Sequence, residues 1–210
     1  MEFQKYLSLW ALALVTVLAF YGSYVEACMC MPAHPQTHYC NADYVVQVRV
    51  LRKSEKMDPG KTIYKVNIKR TYKATPEARK MLRDGRLATP NMDSSCGVKL
   101  QLGKVYIIAG RMPQLNLCSY FKEYAKMTIT ERHGFNGGYK KTCSCNVWPC
   151  FGKSCLDERE ADDGCKWSPH GNCERDFSAC MPHIRQTPSG NITRCRWRRT
   201  RLYKQCLNYP

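Results

Sequence analysis

Acidic residues are scarce in this chain. Asp and Glu total 17 against 33 Lys and Arg, a formal charge of +16 over 210 residues. That imbalance points to a counter-charged partner. Catalytic signatures are absent as well. There is no His-Glu-x-x-His and no Gly-x-Ser-x-Gly. Gly60-Lys61-Thr62 and Gly152-Lys153-Ser154 lack the upstream glycine of a phosphate loop. The five histidines are scattered; His34 and His38 have helical spacing and read as two residues on one helix face. An enzyme is therefore disfavoured, and no catalytic residue is assigned. No internal repeat occurs. A hydrophobic content of 44% excludes a disordered chain.

Long apolar runs are missing except for one. Tyr6–Val25 carries no charge, follows Lys5, and ends in Val25-Glu26-Ala27. Small residues at the −3 and −1 positions before Cys28 read as a signal-peptidase site. Residues 1–27 are thus expected to be a signal peptide and the protein to be secreted, with no membrane partner. Cleavage removes Lys5, Glu2 and Glu26, so the mature charge rises by one.

What is abundant is cysteine, 14 residues, all after position 27. An even number in an exported chain reads as seven disulfides, and the oxidising compartment disfavours zinc ligation. Six cysteines spread from Cys28 to Cys143, and eight crowd the segment from Cys145 to Cys206. Both sets are even, so each can pair internally. The expected organisation is a core-bearing domain over residues 28–143 and a small stapled domain over residues 145–210. The first reads as mainly β, with strands at Tyr44–Val50, Thr62–Ile68, Val105–Ala109 and, weakly, Ala125–Thr130. Helices are expected at Pro35–Asn41 and at Pro76–Arg83 behind a Thr75 N-cap. Residues Ala88–Ser95 read as loop, and the second domain as irregular with short hairpins. Asn191-Ile192-Thr193 is a glycosylation sequon.

After cleavage the chain begins Cys28-Met29-Cys30-Met31-Pro32. Cysteines two apart on an extended strand share one side and cannot easily bridge each other, so each must anchor to a distant partner. Met29 and Met31 then face the opposite way. The α-amine and carbonyl oxygen of a first residue also form a five-membered chelate for a metal ion.

These residues carry a family resemblance. Cys28–Gln36 with Cys40-Asn41-Ala42-Asp43, Ser94-Ser95-Cys96-Gly97, Gly103–Gly110, Leu117-Cys118, Cys143-Ser144-Cys145, Trp148-Pro149-Cys150, Ala179–Pro182 and Cys195-Arg196-Trp197 resemble, in order and spacing, the tissue inhibitors of metalloproteinases. The resemblance covers essentially the whole mature chain. It implies a disulfide-rich, mainly β protein: an N-terminal OB-fold-like, netrin-like five-stranded barrel with flanking helices, and a small C-terminal domain. It implies the pairs Cys28–Cys96, Cys30–Cys118, Cys40–Cys143, Cys145–Cys195, Cys150–Cys155 and Cys165–Cys180, leaving Cys173 and Cys206 for each other.

The resemblance further implies a monomeric inhibitor, 1:1 with matrix metalloproteinases and related zinc proteases. It has no cofactor of its own and binds the zinc of its target. Cys28 would chelate that zinc, Met29 would enter the pocket beside it, and Cys30, Met31, Pro32, Ser94, Ser95 and Cys96 would complete the contact. Two departures stand out. Met29 replaces the usual Thr or Ser, which favours targets with deep apolar pockets. The C-terminal end is basic, with Arg194, Arg196, Arg198, Arg199, Arg201 and Lys204 around Trp197. Secretion argues against nucleic acid as their partner and for sulfated glycosaminoglycan of the extracellular matrix. A non-inhibitory netrin-like matrix or heparin-binding module is the alternative function.

Overall fold

The computed structural model describes residues 28–55, 60–91, 96–111, 114–152, 163–187 and 190–208. The expected signal peptide, Ser94, Ser95 and Cys155 fall outside them. Five antiparallel strands make the main sheet: β1 (Tyr44–Ser54), β2 (Lys61–Ala74), β3 (Arg86–Pro90), β4 (Val105–Gly110) and β5 (Tyr120–Glu123). Their order is β3-β2-β1-β4-β5. The register of β1 against β2 shifts three times. Each irregularity adds bend and twist, and the sheet curls into a half-barrel.

Alternation along β1 fills the curl. Val46, Val48 and Val50 pack there with Tyr64, Val66, Tyr106 and Ile108. From the opposite face Val45, Ile107 and Ala109 join Tyr39, Met127, Phe135 and Tyr139 in another cluster. Because β4 is covered on both faces, its sequence reads as one apolar run rather than alternating. Two short helices flank the sheet: α1 (Pro35–Asn41) and α2 (Pro76–Leu82). Both begin at a proline, whose fixed φ suits the first helical position. Thr75 caps α2 by accepting from the Ala78 N–H at 3.2 Å.

Two local expectations are corrected. Ala125–Thr130 is not a strand. Thr128 accepts from the Glu131 N–H at 3.1 Å, and the Glu131 carboxylate accepts from the Thr128 N–H at 2.9 Å. This reciprocal cap outweighs weak alternation, and α3 (Ile129–His133) follows. Nor is Ala88–Ser95 all loop, because Ala88–Pro90 belongs to β3. Leu87 and Thr89 are buried on that edge strand, and the Thr89 hydroxyl accepts from the Val98 N–H at 2.8 Å.

The C-terminal part is more regular than expected. Strands β6 (Asn146–Pro149) and β7 (Gly164–Trp167) pair in parallel. Strands β8 (Cys180–Thr187) and β9 (Gly190–Trp197), eight residues each, pair as an antiparallel hairpin. Helices α4 (Cys173–Phe177) and α5 (Arg201–Asn208) complete it. Its core is Cys145, Val147, Cys165, Trp167, Cys173, Cys180, Cys195, Trp197 and Tyr203. Disulfide sulfur replaces much of the apolar area that so short a segment cannot supply. Among the described residues no helix is long and apolar enough to cross a membrane.

Candidate functional site: the amino-terminal ridge

Residues Cys28–Ala33 have no regular secondary structure and are bridged to the β3–β4 and β4–β5 connections. Cys28 is bridged to Cys96 and Cys30 to Cys118. Between and beyond these anchors Met29 is 90% exposed and Met31 73%, with Pro32 also exposed. Two long apolar side chains held in water on a bolted segment make a contact surface, since lone thioethers gain nothing there by themselves.

The loops that hold the ridge are themselves tied together. The Leu117 N–H donates to the Cys96 carbonyl at 3.0 Å, and the Leu115 N–H to the Ala88 carbonyl at 2.9 Å. Cys96 has φ +62°, a left-handed conformation that costs a residue with a side chain. The bridge to Cys28 leaves from this strained position.

Behind the ridge the chain plunges inward. His34 is fully buried and caps α1: its Nδ1 accepts from the Gln36 N–H at 3.1 Å. Its Nε2 lies 3.2 Å from the Glu174 carbonyl in α4 and donates to it. The ring sits edge-on to Trp167 and close to Trp197, with centroids 5.6 and 5.3 Å away. Burial lowers its pKa to about 4, so the ring is neutral at physiological pH.

Gln36 goes further into the C-terminal part. Its Nε2 donates to the carbonyls of Thr142, Cys145 and Cys180 at 3.1, 3.3 and 3.0 Å, while its Oε1 accepts from the Cys180 N–H at 2.9 Å. A parallel tie runs from Thr128, whose cap partner Glu131 is 1% exposed. Within the N-terminal part Glu131 accepts from Lys122 at 2.8 Å and from the Tyr120 hydroxyl at 3.3 Å. The Thr128 hydroxyl donates to the Asp176 carbonyl at 2.6 Å.

Sequence reasoning missed these roles. It took His34 for a helix-face residue, whereas His34 precedes the helix and caps it. Pro35 at the first helical position, which puts His34 at the N-cap, was the available signal.

The structure also contains the bridges Cys40–Cys143, Cys145–Cys195, Cys165–Cys180 and Cys173–Cys206. Cys150 is disulfide-bonded, but its expected partner Cys155 lies outside the described residues, as do Ser94 and Ser95 of the expected contact. The sulfurs of Cys145, Cys180 and Cys195 gather within 4.8 Å. All three are spent in bridges, so the group is a sulfur core and not a thiolate metal site.

Arg194 and Arg196 lie on β9, Arg198 and Arg199 follow it, and Arg201 and Lys204 share the exposed side of α5 three residues apart. Trp197 is not between them at the surface. It is 3% exposed and donates through its indole N–H to the Lys166 carbonyl. Asn191 pairs with Gln186 in the hairpin, and its side chain lies outside the described residues.

The site is thus a disulfide-bolted terminal ridge carried on a curled five-stranded sheet, and the proteins that this chain is similar to are protease inhibitors rather than enzymes. Residues 26–197 match the family model described as tissue inhibitor of metalloproteinase, and the chain belongs to that family. It is 64% identical to the tissue inhibitor of metalloproteinase of Drosophila melanogaster over the full length of both chains. It is 30% identical to metalloproteinase inhibitor 3 of Gallus gallus, across 76% of this chain and 79% of that one. With metalloproteinase inhibitor 4 of Rattus norvegicus the identity is 29%, over 76% and 75% of the two chains.

Proposed function

We propose that the protein is a secreted inhibitor of zinc metalloproteinases, matrix metalloproteinases among them, acting 1:1 through the ridge that starts at Cys28. Support comes above all from the bolted presentation of Met29 and Met31 next to a residue that becomes the first of the mature chain. Once the signal peptide is removed, the Cys28 α-amine and carbonyl oxygen are a bidentate donor pair for the target's zinc. Such an ion keeps one position for water, and the pair would displace it. Met29 would fill the neighbouring pocket; Cys30, Met31, Pro32, Ser94, Ser95 and Cys96 would line the remaining contact. The two bridges hold the segment before it meets the protease, which lowers the ordering cost of binding.

Residues 28–143 carry this site, and residues 145–210 form a second unit locked onto it through Gln36 and His34. The decisive experiment compares protein starting at Cys28 with protein carrying one extra alanine in front, against a matrix metalloproteinase catalytic domain. Tight inhibition by the native terminus alone is expected. Equal inhibition would place the contact elsewhere, and inhibition by neither would favour the matrix-module alternative.

The cations Arg194, Arg196, Arg198, Arg199, Arg201 and Lys204, all exposed but the half-buried Arg196, support binding of sulfated glycosaminoglycan by the same molecule. A heparin column should retain the protein more strongly than a generic basic protein of equal charge. Neutralising Arg199 and Arg201 should remove that excess.

A further inference from the structure

A cleft of about 690 Å³ opens on the far end of β2, within the range of small-ligand sites, about 300–1,000 Å³. The Cys40–Cys143 bridge forms part of its lining. Thr71, Tyr72, Lys73 and Ala74 come from β2, Arg79 from α2, and Lys140 from the turn preceding Cys143. Three cations face one hollow, and no carboxylate lines it. None of the three makes an ion pair among the described residues.

Each cation is held differently. Lys73 donates to the Tyr39 and Cys40 carbonyls at 3.1 and 2.7 Å and lies 5.8 Å over the Tyr39 ring. Two of its three N–H bonds are thereby used, leaving one donor. Its pKa is lowered by burial, and Asp43 is the carboxylate whose charge opposes that shift. Arg79 makes one long contact, 3.4 Å, to the Ala74 carbonyl and keeps the rest of its guanidinium fork for a ligand. Lys140 is exposed at the rim. Tyr72 donates to Gln47 Oε1 at 3.2 Å, which fixes its ring on the cleft wall, and the Arg70 guanidinium covers that ring at 5.1 Å.

Gathering three like charges raises electrostatic energy, and of the three only Lys73 donates to carbonyls at a helix C-terminus. A tetrahedral oxyanion would satisfy all three, by a fork from Arg79 and point charges from the lysines. Tyr72 on the wall supplies apolar surface beside the oxyanion for a sugar. We propose that this cleft binds a sulfate or phosphate monoester carried on a sugar-sized group, at a site separate from the ridge and from the C-terminal arginines.

Isothermal titration of the full mature protein with three probes tests this: a heparin-derived sulfated disaccharide, glucose 6-phosphate, and the unsulfated disaccharide. The first two should bind and the third should not. The double variant Arg79→Gln/Lys140→Gln should weaken the binding of charged probes at least tenfold, while Arg199→Gln/Arg201→Gln keeps it. Stronger binding of the sulfated probe would assign the site to matrix glycan; equal binding would assign it to the oxyanion whatever its carrier. Retained metalloproteinase inhibition and an unchanged melting temperature show that the double variant is folded. Unchanged affinity in that variant, or equal binding of the unsulfated sugar, overturns the proposal.

Discussion

Replacing Gln36 by leucine keeps the side-chain volume close and removes every polar contact it makes. The Cys180 N–H then has no acceptor, and the carbonyls of Thr142, Cys145 and Cys180 lose a shared donor. An orphaned buried N–H costs about 1–3 kcal/mol. The two amide hydrogens add about 1 kcal/mol each in lost net bonding. Leucine returns about 1–2 kcal/mol through its apolar surface. The net loss expected is about 2–3 kcal/mol.

Trp167 and Trp197 lie in the core that Gln36 enters, so guanidinium unfolding followed by tryptophan fluorescence reports on it directly. Gln36→Glu gives an independent check. Its carboxylate would face three carbonyls, so its folded pKa would rise above the unfolded value of about 4.3. A raised folded pKa means the variant is closest to wild type below about pH 4 and weakens as pH rises. A loss below about 1 kcal/mol for Gln36→Leu, or a pH-independent Gln36→Glu, would refute the view that this side chain locks the two parts together.

His34 makes a further pH prediction. Burial holds its pKa near 4 in the folded chain against 6.5 when unfolded. The depressed value means that its neutral form stabilises the fold above about pH 6.5. That stability should fall by about 3 kcal/mol as pH drops towards 4. His34→Asn, which can still cap α1, should flatten this part of the stability–pH curve; an unchanged curve would contradict it. Met29→Ala should weaken inhibition about 10–100-fold against proteases with deep apolar pockets, as expected for unburying a thioether side chain. A uniform loss across all targets in a Ki panel would sink the specificity reading. Removing the Cys173–Cys206 bridge by serine substitution opens a 33-residue span, worth at most about 4 kcal/mol of loop entropy. Hydrogen exchange should show α5 loosening before β1 does.

Much of the fold could be read from local chemistry. The proline-started helices at Pro35 and Pro76, the alternating β2 and the doubly covered β4 all follow from residues within one element. The resemblance to the inhibitor family named the bridges that spacing alone could not. What stayed hidden depends on distant partners. Thr128 looks like a residue of a weak strand until its reciprocal cap with Glu131 is considered. Ala88 and Thr89 read as loop because their partners in β2, Ile63 and Thr62, lie more than 20 residues upstream. His34 and Gln36 carry no local sign that Trp167, Glu174 and Cys180, more than 130 residues away, will enclose them. The ridge was legible as chemistry, but the Leu117–Cys96 hydrogen bond joining its two anchors was not.

The separate anchoring of Cys28 and Cys30 bears on what a protease could achieve if it did cut the ridge. Were the Met29–Cys30 bond hydrolysed, the fragment Cys28-Met29 would stay attached through Cys96, and the new amine at Cys30 would stay attached through Cys118. Neither product could diffuse away. The two ends would face each other at the high effective concentration of an intramolecular pair, so rejoining would compete with release. Cleavage, the usual way an enzyme discards what occupies its cleft, would discard nothing here.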